Sequence, residues 1–327
     1  VVLENVHATG ERTSSIALPV AFEQEESFLI GVRPETISLG QIADVVGRGF
    51  IGPPEGTTSL RLEGQFTPHR GAGEEVSLEL VGEWQSGTLV RYSVVVSSEG
   101  GYLHAVDFDV HRGLFVGEAT PVLTMGRERF EGMPAPLTLT LGPVRQVVWV
   151  RFLPGFSDSL ELFGLGAVDA EIQRRVLERM QEVYCPPADL ESCINVEFRA
   201  EEPTDFYPGA FGILDISGPD PNDLGLFGYD NTPGKDVGNL RLHDHVGGEN
   251  ALGALDGFGY GGVFIESMIY WSEHPPPTLG PRPAAAPPPD ARFDAIFDPV
   301  RDREVVAGEH PDGGDPQRIA QIESAIG

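Results

Sequence analysis

Residues 89–96 have the sequence Leu89-Val90-Arg91-Tyr92-Ser93-Val94-Val95-Val96, in which almost every side chain favours a β-strand. Similar short runs, separated by Gly, Pro and Glu, occur throughout residues 1–150 without the period of an amphipathic helix. We therefore predict a sandwich of antiparallel strands, with residues 89–96 as a central strand. The other predicted strands are Ser15–Phe22, Phe28–Val32, Leu60–Phe66, Val76–Leu80, Leu137–Leu141 and Val147–Phe152.

The pattern changes near residue 147. A strand at Val147–Leu153 is followed by a segment, residues 168–184, whose apolar side chains recur at helical spacing. Two further strands are predicted at Ile194–Phe198 and Phe211–Ile216. A strand, a helix and two strands in this order predict an α/β domain. The apolar face of the predicted helix consists of Val168, Ile172, Val176, Leu177, Met180, Val183 and Tyr184.

The length of 327 residues exceeds what one hydrophobic core usually serves, so we expect a multi-domain, β-rich protein. A Pro-rich stretch at residues 275–289 is typical of an extended linker. The predicted divisions are a strand segment at 1–30 that would suit the end of a preceding β domain, a sandwich at 31–146, an α/β domain at 147–274, a Pro-rich and acidic linker or long loop at 275–316, and the start of a helix at 317–327.

The composition is strongly acidic. The chain has 22 basic and 50 acidic residues, and the resulting net charge of −28 opposes binding to nucleic acid or to an anionic membrane. No stretch approaches the roughly 20 apolar residues that a membrane-spanning helix needs. All basic residues except Lys235 are Arg, which indicates either a GC-rich bacterial genome or a surface under unusual selection.

The sequence contains two cysteines, Cys185 and Cys193. Their spacing is short enough for a bridge and does not match a CxxC redox or zinc motif. We predict a disulfide between them, and two reduced buried thiols are the alternative. A disulfide would require an oxidising compartment, so we expect a secreted or cell-surface protein.

Two sequence segments in the first half show a family resemblance: Val32-Arg33-Pro34-Glu35-Thr36-Ile37-Ser38-Leu39-Gly40 and Val45-Val46-Gly47-Arg48-Gly49-Phe50-Ile51. They resemble the opening of an IPT/TIG immunoglobulin-like domain, in which a Pro-led strand, a turn Gly and a G-x-G-F pair start the sandwich. Over about residues 30–150, the resemblance implies a binding or spacer module of surface and secreted proteins, without catalytic residues. Any other β-sandwich with a Gly-rich turn is the alternative.

Several phrases of the second half carry another resemblance: Val147–Phe152, Arg175–Tyr184, Asn195–Phe198, Gly218–Asn222, Gly228–Asp236 and Gly259–Phe264. Together they resemble the N-terminal part of a metzincin-like zinc peptidase domain, over about residues 147–327. In this family a helix with H-E-x-x-H follows the sheet, because two His one turn apart bind zinc while the Glu activates the metal's water. The sequence lacks this motif, so no catalytic residue is assigned. Zinc is expected only if the chain continues beyond residue 327.

Two of the eight His residues, His243 and His245, lie close together in sequence. On a strand both imidazoles would project from the same face, which would suit the beginning of a metal site. Ordinary exposed or hydrogen-bonded histidines are the alternative. Ser267 has no G-x-S-x-G context, so a serine nucleophile is not indicated.

A group of Asp and Asn residues among Gly and Pro suggests calcium, which prefers oxygen ligands on flexible loops. The spacing matches no EF-hand, and Asp and Asn also favour turns by bonding to their own backbone. Both interpretations stay open. The candidate calcium ligands are Asp220, Asn222, Asp223, Asp230, Asn231 and Asp236.

Three functions are compatible with these features. The first is a non-catalytic structural or binding protein at the bacterial cell surface that associates with itself or with other surface proteins. The second is the N-terminal fragment of a secreted zinc metallopeptidase, and the third is a calcium-dependent adhesin or carbohydrate-binding protein. The sequence favours the first, because no complete catalytic motif is present. Enzymatic activity is left open.

Overall fold

A computed structural model describes residues 4–6, 9–14, 26–95, 103–104, 112–143, 145–186, 193–208, 210–230, 245–247 and 261–301. The predicted strand Ser15–Phe22 and the predicted helix start at 317–327 lie outside this part of the chain. The described part is β-rich and contains several sheets, as the sequence predicted. Within it, every helix is too short or too polar to cross a membrane.

The first half consists of strands. In chain order they are β1 (Glu4–Val6), β2 (Arg12–Ser14), β3 (Phe28–Arg33), β4 (Thr36–Ile37), β5 (Ile42–Arg48), β6 (Thr57–Pro68), β7 (Glu74–Val81), β8 (Glu83–Ser86), β9 (Leu89–Val95), β10 (Leu103–His104), β11 (Gly113–Met125), β12 (Glu128–Glu131) and β13 (Ala135–Leu141). β1 and β2 pair with each other. One sheet has the order β10-β9-β5-β3, with β8 also on β9, and the other has the order β4-β13-β11-β6-β7, with β12 also on β11.

These two larger sheets share one hydrophobic core. Alternate side chains of β9, such as Val90 and Tyr92, are buried together with Phe66 of β6 and Phe115 of β11. Phe115 and Phe66 are direct partners in the β11–β6 ladder, where both side chains point inward. The prediction of a β9 strand inside a sheet is confirmed, because β5 and β8 both pair with it. Strands β5 and β11 were missed.

The backbone at the G-x-G-F motif requires both of its glycines. Gly49 has φ +70°, a conformation that other residues rarely adopt. A Cβ at Gly47 would overlap the carbonyl oxygen of Phe28 and the ring of Phe50. Both positions therefore require glycine where β5 ends and Phe50 enters the core.

The second half mixes strands and helices. In chain order these are β14 (Gln146–Phe152), α1 (Pro154–Leu162), α2 (Asp169–Tyr184), β15 (Val196–Arg199), β16 (Gly212–Ser217), β17 (Gly228–Tyr229), β18 (His245–Val246), β19 (Gly262–Phe264) and α3 (Ala291–Arg301). Short 3-10 helices lie at Gly166–Val168, Ile265–Trp271 and Pro277–Leu279. The sheet order is β15-β14-β16-β19-β17, with β18 also on β16. Among these described strands, β17 is the antiparallel one.

The helices cover one face of this sheet. Val150 of β14 and Ile216 of β16 are buried in the same cluster as Ile172 and Val176 of α2. The predicted amphipathic helix is confirmed, and it begins at Asp169. Its last turn was misjudged, because Val183 and Tyr184 are exposed. The Tyr184 ring nevertheless packs against Phe198 of β15.

The assignment of residues 275–316 to a linker or long loop is wrong for α3. Phe293 and Phe297 are buried, and their rings pack against each other and against Phe163. They are four residues apart, so they lie on one face of the helix. The N–H of Asp290, just before α3, donates to the carbonyl of Trp271 at 2.7 Å. The Pro-rich stretch therefore returns the chain to the core.

The two halves are joined through their backbones. The Ile42 N–H donates to the Asp205 carbonyl, and the Tyr207 N–H donates to the Gly40 carbonyl, both at 2.8 Å. Ala210, in the connection between β15 and β16, is buried in the core of the sandwich. The segment between β15 and β16 therefore contacts the first half of the chain through its backbone and through Ala210.

Candidate functional site

In the sheet of the second half, the direction in which successive strands are added reverses between β14 and β16. The chain leaves β14 toward β15 on one side and leaves β16 toward β19 on the other. In open α/β sheets, ligands usually bind where such connections separate, at the carboxyl ends of the strands. Here that position is closely packed, since a Cβ at Gly218 would overlap the Gly155 carbonyl oxygen and the Ser159 hydroxyl.

A half-buried carboxylate lies beside this contact. Glu266 accepts a hydrogen bond from the Ser159 hydroxyl at 3.2 Å, and its own N–H donates to the Gly218 carbonyl at 2.9 Å. Burial raises the pKa of Glu266, and the negative charge of Asp223 raises it further, while the hydrogen bond from Ser159 opposes the shift. Glu266 is thus a carboxylate with an altered proton affinity at the carboxyl end of the sheet.

The other face of the sheet carries a charged cluster. Arg151 of β14 donates from Nε to Asp215 Oδ1 at 2.6 Å and from Nη2 to Asp215 Oδ2 at 2.8 Å. His245 Nε2 lies 3.0 Å from Asp215 Oδ2 and 3.0 Å from Arg151 Nη2. Asp215 is fully buried, and the hydrogen bonds to it raise the pKa of Arg151. The cluster connects β14, β16 and β18.

Two neighbours shape this cluster. The guanidinium of Arg151 lies 5.4 Å from the ring centroid of Trp149, in a cation–π arrangement. A Cβ at Gly247 would overlap the Asp215 carboxylate, so only glycine allows β18 to approach this closely. The Arg151 guanidinium thus places one positive charge at hydrogen-bonding distance from the imidazole. The suggested His243–His245 metal pair is untested, since His243 lies outside the described residues.

Asp220 organises the loop that contains the candidate calcium ligands. Its Oδ1 accepts the N–H of Asn222 at 3.0 Å, and its Oδ2 accepts the N–H groups of Leu224 and Leu226, each at 3.1 Å. This is the turn role that the sequence left open beside calcium. Asp223, in the same loop, has φ +53°. Asp230 follows β17, while Asn231 and Asp236 lie outside the described part.

An apolar rim accompanies the antiparallel edge strand. Leu224, Phe227 and Tyr229 are 47%, 39% and 42% exposed, and they lie on the approach to β17 or in it. The Phe227 ring packs on Trp271 with 4.8 Å between centroids. The Phe227 carbonyl accepts the N–H of Phe264 at 2.7 Å, which holds this segment against β19.

A histidine meets two aspartates of α3. His274 Nε2 lies 3.1 Å from Asp298 Oδ2, and His274 Nδ1 lies 3.8 Å from Asp294 Oδ2. The sequence analysis missed this group, because it assigned α3 to a linker. The recognisable signal is the spacing of four residues between Asp294 and Asp298, which places both carboxylates on one face of a helix.

The predicted disulfide between Cys185 and Cys193 is confirmed. It follows directly on the end of α2, where the Cys185 N–H donates to the Gln181 carbonyl at 2.8 Å. The Ile194 N–H donates to the Tyr184 carbonyl at 2.9 Å. The bridge therefore closes the connection that leads from α2 to β15.

Comparison with known proteins gives no family. No protein-family model matches the chain, and a search of curated proteins finds no similar sequence. Function must therefore be argued from the geometry described above.

Proposed function

We propose that residues 146–301 form the substrate-binding part of a secreted, metzincin-like zinc peptidase, and that the preceding sandwich is its immunoglobulin-like binding or spacer module. This is the second of the three functions compatible with the sequence. The geometry of the second sheet favours it over the first.

The observation that carries the proposal is the order of that sheet. Within the described residues, the second strand along the chain, β15, lies at one edge of the sheet, and the antiparallel strand β17 lies at the other. Two helices, α1 and α2, form the connection between β14 and β15. A mainly parallel sheet with helical connections is compatible with the α/β domain that the resemblance implies for the N-terminal part of such a peptidase.

The edge strand also supplies a physical means of binding peptide. An extended peptide binds a sheet edge through main-chain hydrogen bonds, and side-chain pockets provide specificity. The apolar rim of Leu224, Phe227 and Tyr229 offers side-chain contacts next to β17. We therefore expect peptides with large apolar residues to bind best.

The sequence does not provide the zinc site that the resemblance implies. It contains no H-E-x-x-H, and His245 is engaged with Asp215 and Arg151. The proposal thus assigns zinc to residues outside this sequence and assigns no chemical step to the residues within it. What this chain contributes is the binding and orientation of an extended substrate.

Secretion follows from the same proposal. The disulfide between Cys185 and Cys193 favours an oxidising compartment, and the acidic composition suits an extracellular bacterial protein. In this setting the sandwich would hold the peptidase part near a surface or a partner protein.

The test uses the native polypeptide that contains this chain, purified from its source without chelators. We expect a mass above 35.3 kDa, at least one zinc per polypeptide, and cleavage of a mixed peptide library that stops with a zinc chelator and returns with Zn²⁺. A native mass of 35.3 kDa without zinc and without cleavage would refute the proposal.

A matched pair of variants tests whether the substrate binds at β17. Tyr229→Ala should raise KM for peptides with large apolar residues several-fold, with a smaller change in kcat, because it removes ground-state contacts. Phe130→Ala removes an equally exposed aromatic side chain from the sandwich and should leave both constants unchanged. Equal effects of the two substitutions would argue against substrate binding at β17.

A non-catalytic, self-associating surface protein is a second candidate. It is favoured by large apolar side chains exposed on the sandwich, namely Ile30, Val81, Trp84, Leu114 and Val116. Sedimentation velocity over a hundredfold range of concentration distinguishes this role. Association that Val116→Glu abolishes would support it, whereas a monomer at all concentrations would exclude it.

A further inference from the structure

The turn that follows the 3-10 helix Ile265–Trp271 places a histidine above α3. His274 comes from this turn, while Asp294 and Asp298 lie one helical turn apart on α3. One nitrogen of His274 and one oxygen from each carboxylate lie within 4.8 Å of one another. An imidazole and two carboxylates from two separate elements therefore lie close together.

Hydrogen bonds fix the buried member of this group. The Asp294 carboxylate is 9% exposed, and it accepts the Ser272 hydroxyl on Oδ1 and the Glu273 N–H on Oδ2 at 2.8 Å. The backbone N–H of His274 in turn donates to the Ser272 hydroxyl at 3.2 Å. A carboxylate oxygen accepts more than one bond, so Oδ2 keeps the capacity to bind a cation.

A second contact fixes the turn from the outside. Arg282 Nη2 donates to the Ser272 carbonyl at 3.1 Å, which anchors the Pro-rich stretch to the turn. Partners that orient ligating side chains before the ion arrives are characteristic of metal sites. The turn is therefore held in place by Asp294 and by Arg282.

We propose that His274, Asp294 and Asp298 bind one divalent transition-metal ion of the Zn²⁺ class. The ion lies beside His274 Nε2 and Asp298 Oδ2, which are 3.1 Å apart, and one carboxylate oxygen of Asp294 is the third ligand. Zn²⁺ accepts imidazole and carboxylate ligands at roughly 2.0–2.2 Å, whereas Ca²⁺ prefers six to eight oxygen ligands. The side chain of His274 is 63% exposed, so water completes the coordination.

The chemical consequence is a connection between two elements. The ion links the turn at His274 to α3, whose Phe293 and Phe297 complete the core of the second half. This role is structural, and it requires neither peptidase activity nor the zinc proposed for the larger polypeptide. The competing explanation is a His–Asp ion pair that binds no metal.

The test uses the full 327-residue chain after removal of metals. Titration calorimetry with ZnCl₂ should show one ion per chain, and CaCl₂ in tenfold excess should not displace it. His274→Ala and Asp298→Asn should each weaken Zn²⁺ binding at least tenfold. Co²⁺ should give a visible absorption spectrum with the wild-type chain and not with His274→Ala.

Two substitutions serve as controls. Glu273→Gln removes a neighbouring charge, and His69→Ala removes an exposed histidine of the sandwich, so both should leave Zn²⁺ affinity within twofold of wild type. Zn²⁺ should also raise the melting temperature of the wild type and not that of His274→Ala. The proposal is overturned if wild-type chain binds no Zn²⁺, or if His274→Ala binds it as tightly as wild type.

Discussion

The guanidinium of Arg151 donates two hydrogen bonds to the carboxylate of Asp215, across the parallel pair β14 and β16. The two residues are register partners 64 positions apart in sequence. Asp215 is 1% exposed, so its negative charge depends on this partner for compensation.

Arg151→Met should lower the free energy of unfolding by about 3–5 kcal/mol, because it leaves the Asp215 charge buried without its strongest partner. Urea denaturation at pH 7 measures the change. Arg151→Met combined with Asp215→Leu should recover most of the loss, since no buried charge is then left. The control is Arg129→Met, which breaks an exposed pair with Glu79 and should cost less than about 1 kcal/mol.

Glu266 should make stability depend on pH. Its pKa is raised above the ordinary value of 4.5, so the folded chain holds this proton more tightly than the unfolded chain does. The stability that Glu266 contributes is complete below pH 4.5, and it is lost as the pH rises through the raised pKa of the folded state. Denaturation from pH 4 upward should thus show Glu266→Gln gaining stability relative to wild type.

Ser159→Ala is the companion variant for Glu266. It removes the hydrogen bond that opposes the shift, so the Glu266 pKa should rise further and the loss of stability should move to higher pH. A Glu266→Gln profile parallel to wild type at all pH values would contradict this assignment.

Phe297→Ala should destabilise the second half by about 3–5 kcal/mol, because it leaves a cavity between α3 and Phe163. Chemical denaturation followed by tryptophan fluorescence is suitable, since Trp271 packs on the neighbouring Phe293. Ala295→Ser alters an exposed position of the same helix and should cost less than about 1 kcal/mol. Equal stability of Phe297→Ala and wild type would contradict the packing of α3 against the core.

Replacing both cysteines by serine should lower the free energy of unfolding by about 2–3 kcal/mol, the amount expected for a loop closed by residues eight positions apart. A thiol assay on unfolded, unreduced wild-type chain should detect no free thiol. Detection of two thiols in material from an oxidising preparation would disprove the bridge.

The sequence predicted features that depend on local patterns. The period of residues 168–184 predicts α2, and the β-forming run at 89–96 predicts β9, because in both cases one face of the element is buried. It missed α3, where the surrounding Pro and Asp residues obscured the buried pair Phe293 and Phe297. It also missed β11, in which Gly117 and Glu118 interrupt the apolar run.

The spacing of Asp294 and Asp298 is a local signal, but local patterns do not predict the complete charged groups of the second half. Arg151 and Asp215 become neighbours only through the parallel register of β14 and β16. His274 joins Asp298 only because residues 275–290 return the chain to the core. A local pattern shows which residues are buried, while pairs of this kind require the order of the strands.

The two backbone hydrogen bonds between Gly40 or Ile42 and the segment at Asp205–Tyr207 have a mechanical consequence. A pull applied to the sandwich is transmitted to the connection before β16 through these bonds. Anchoring the sandwich to a cell wall or a neighbouring protein would therefore also fix the direction in which β17 faces.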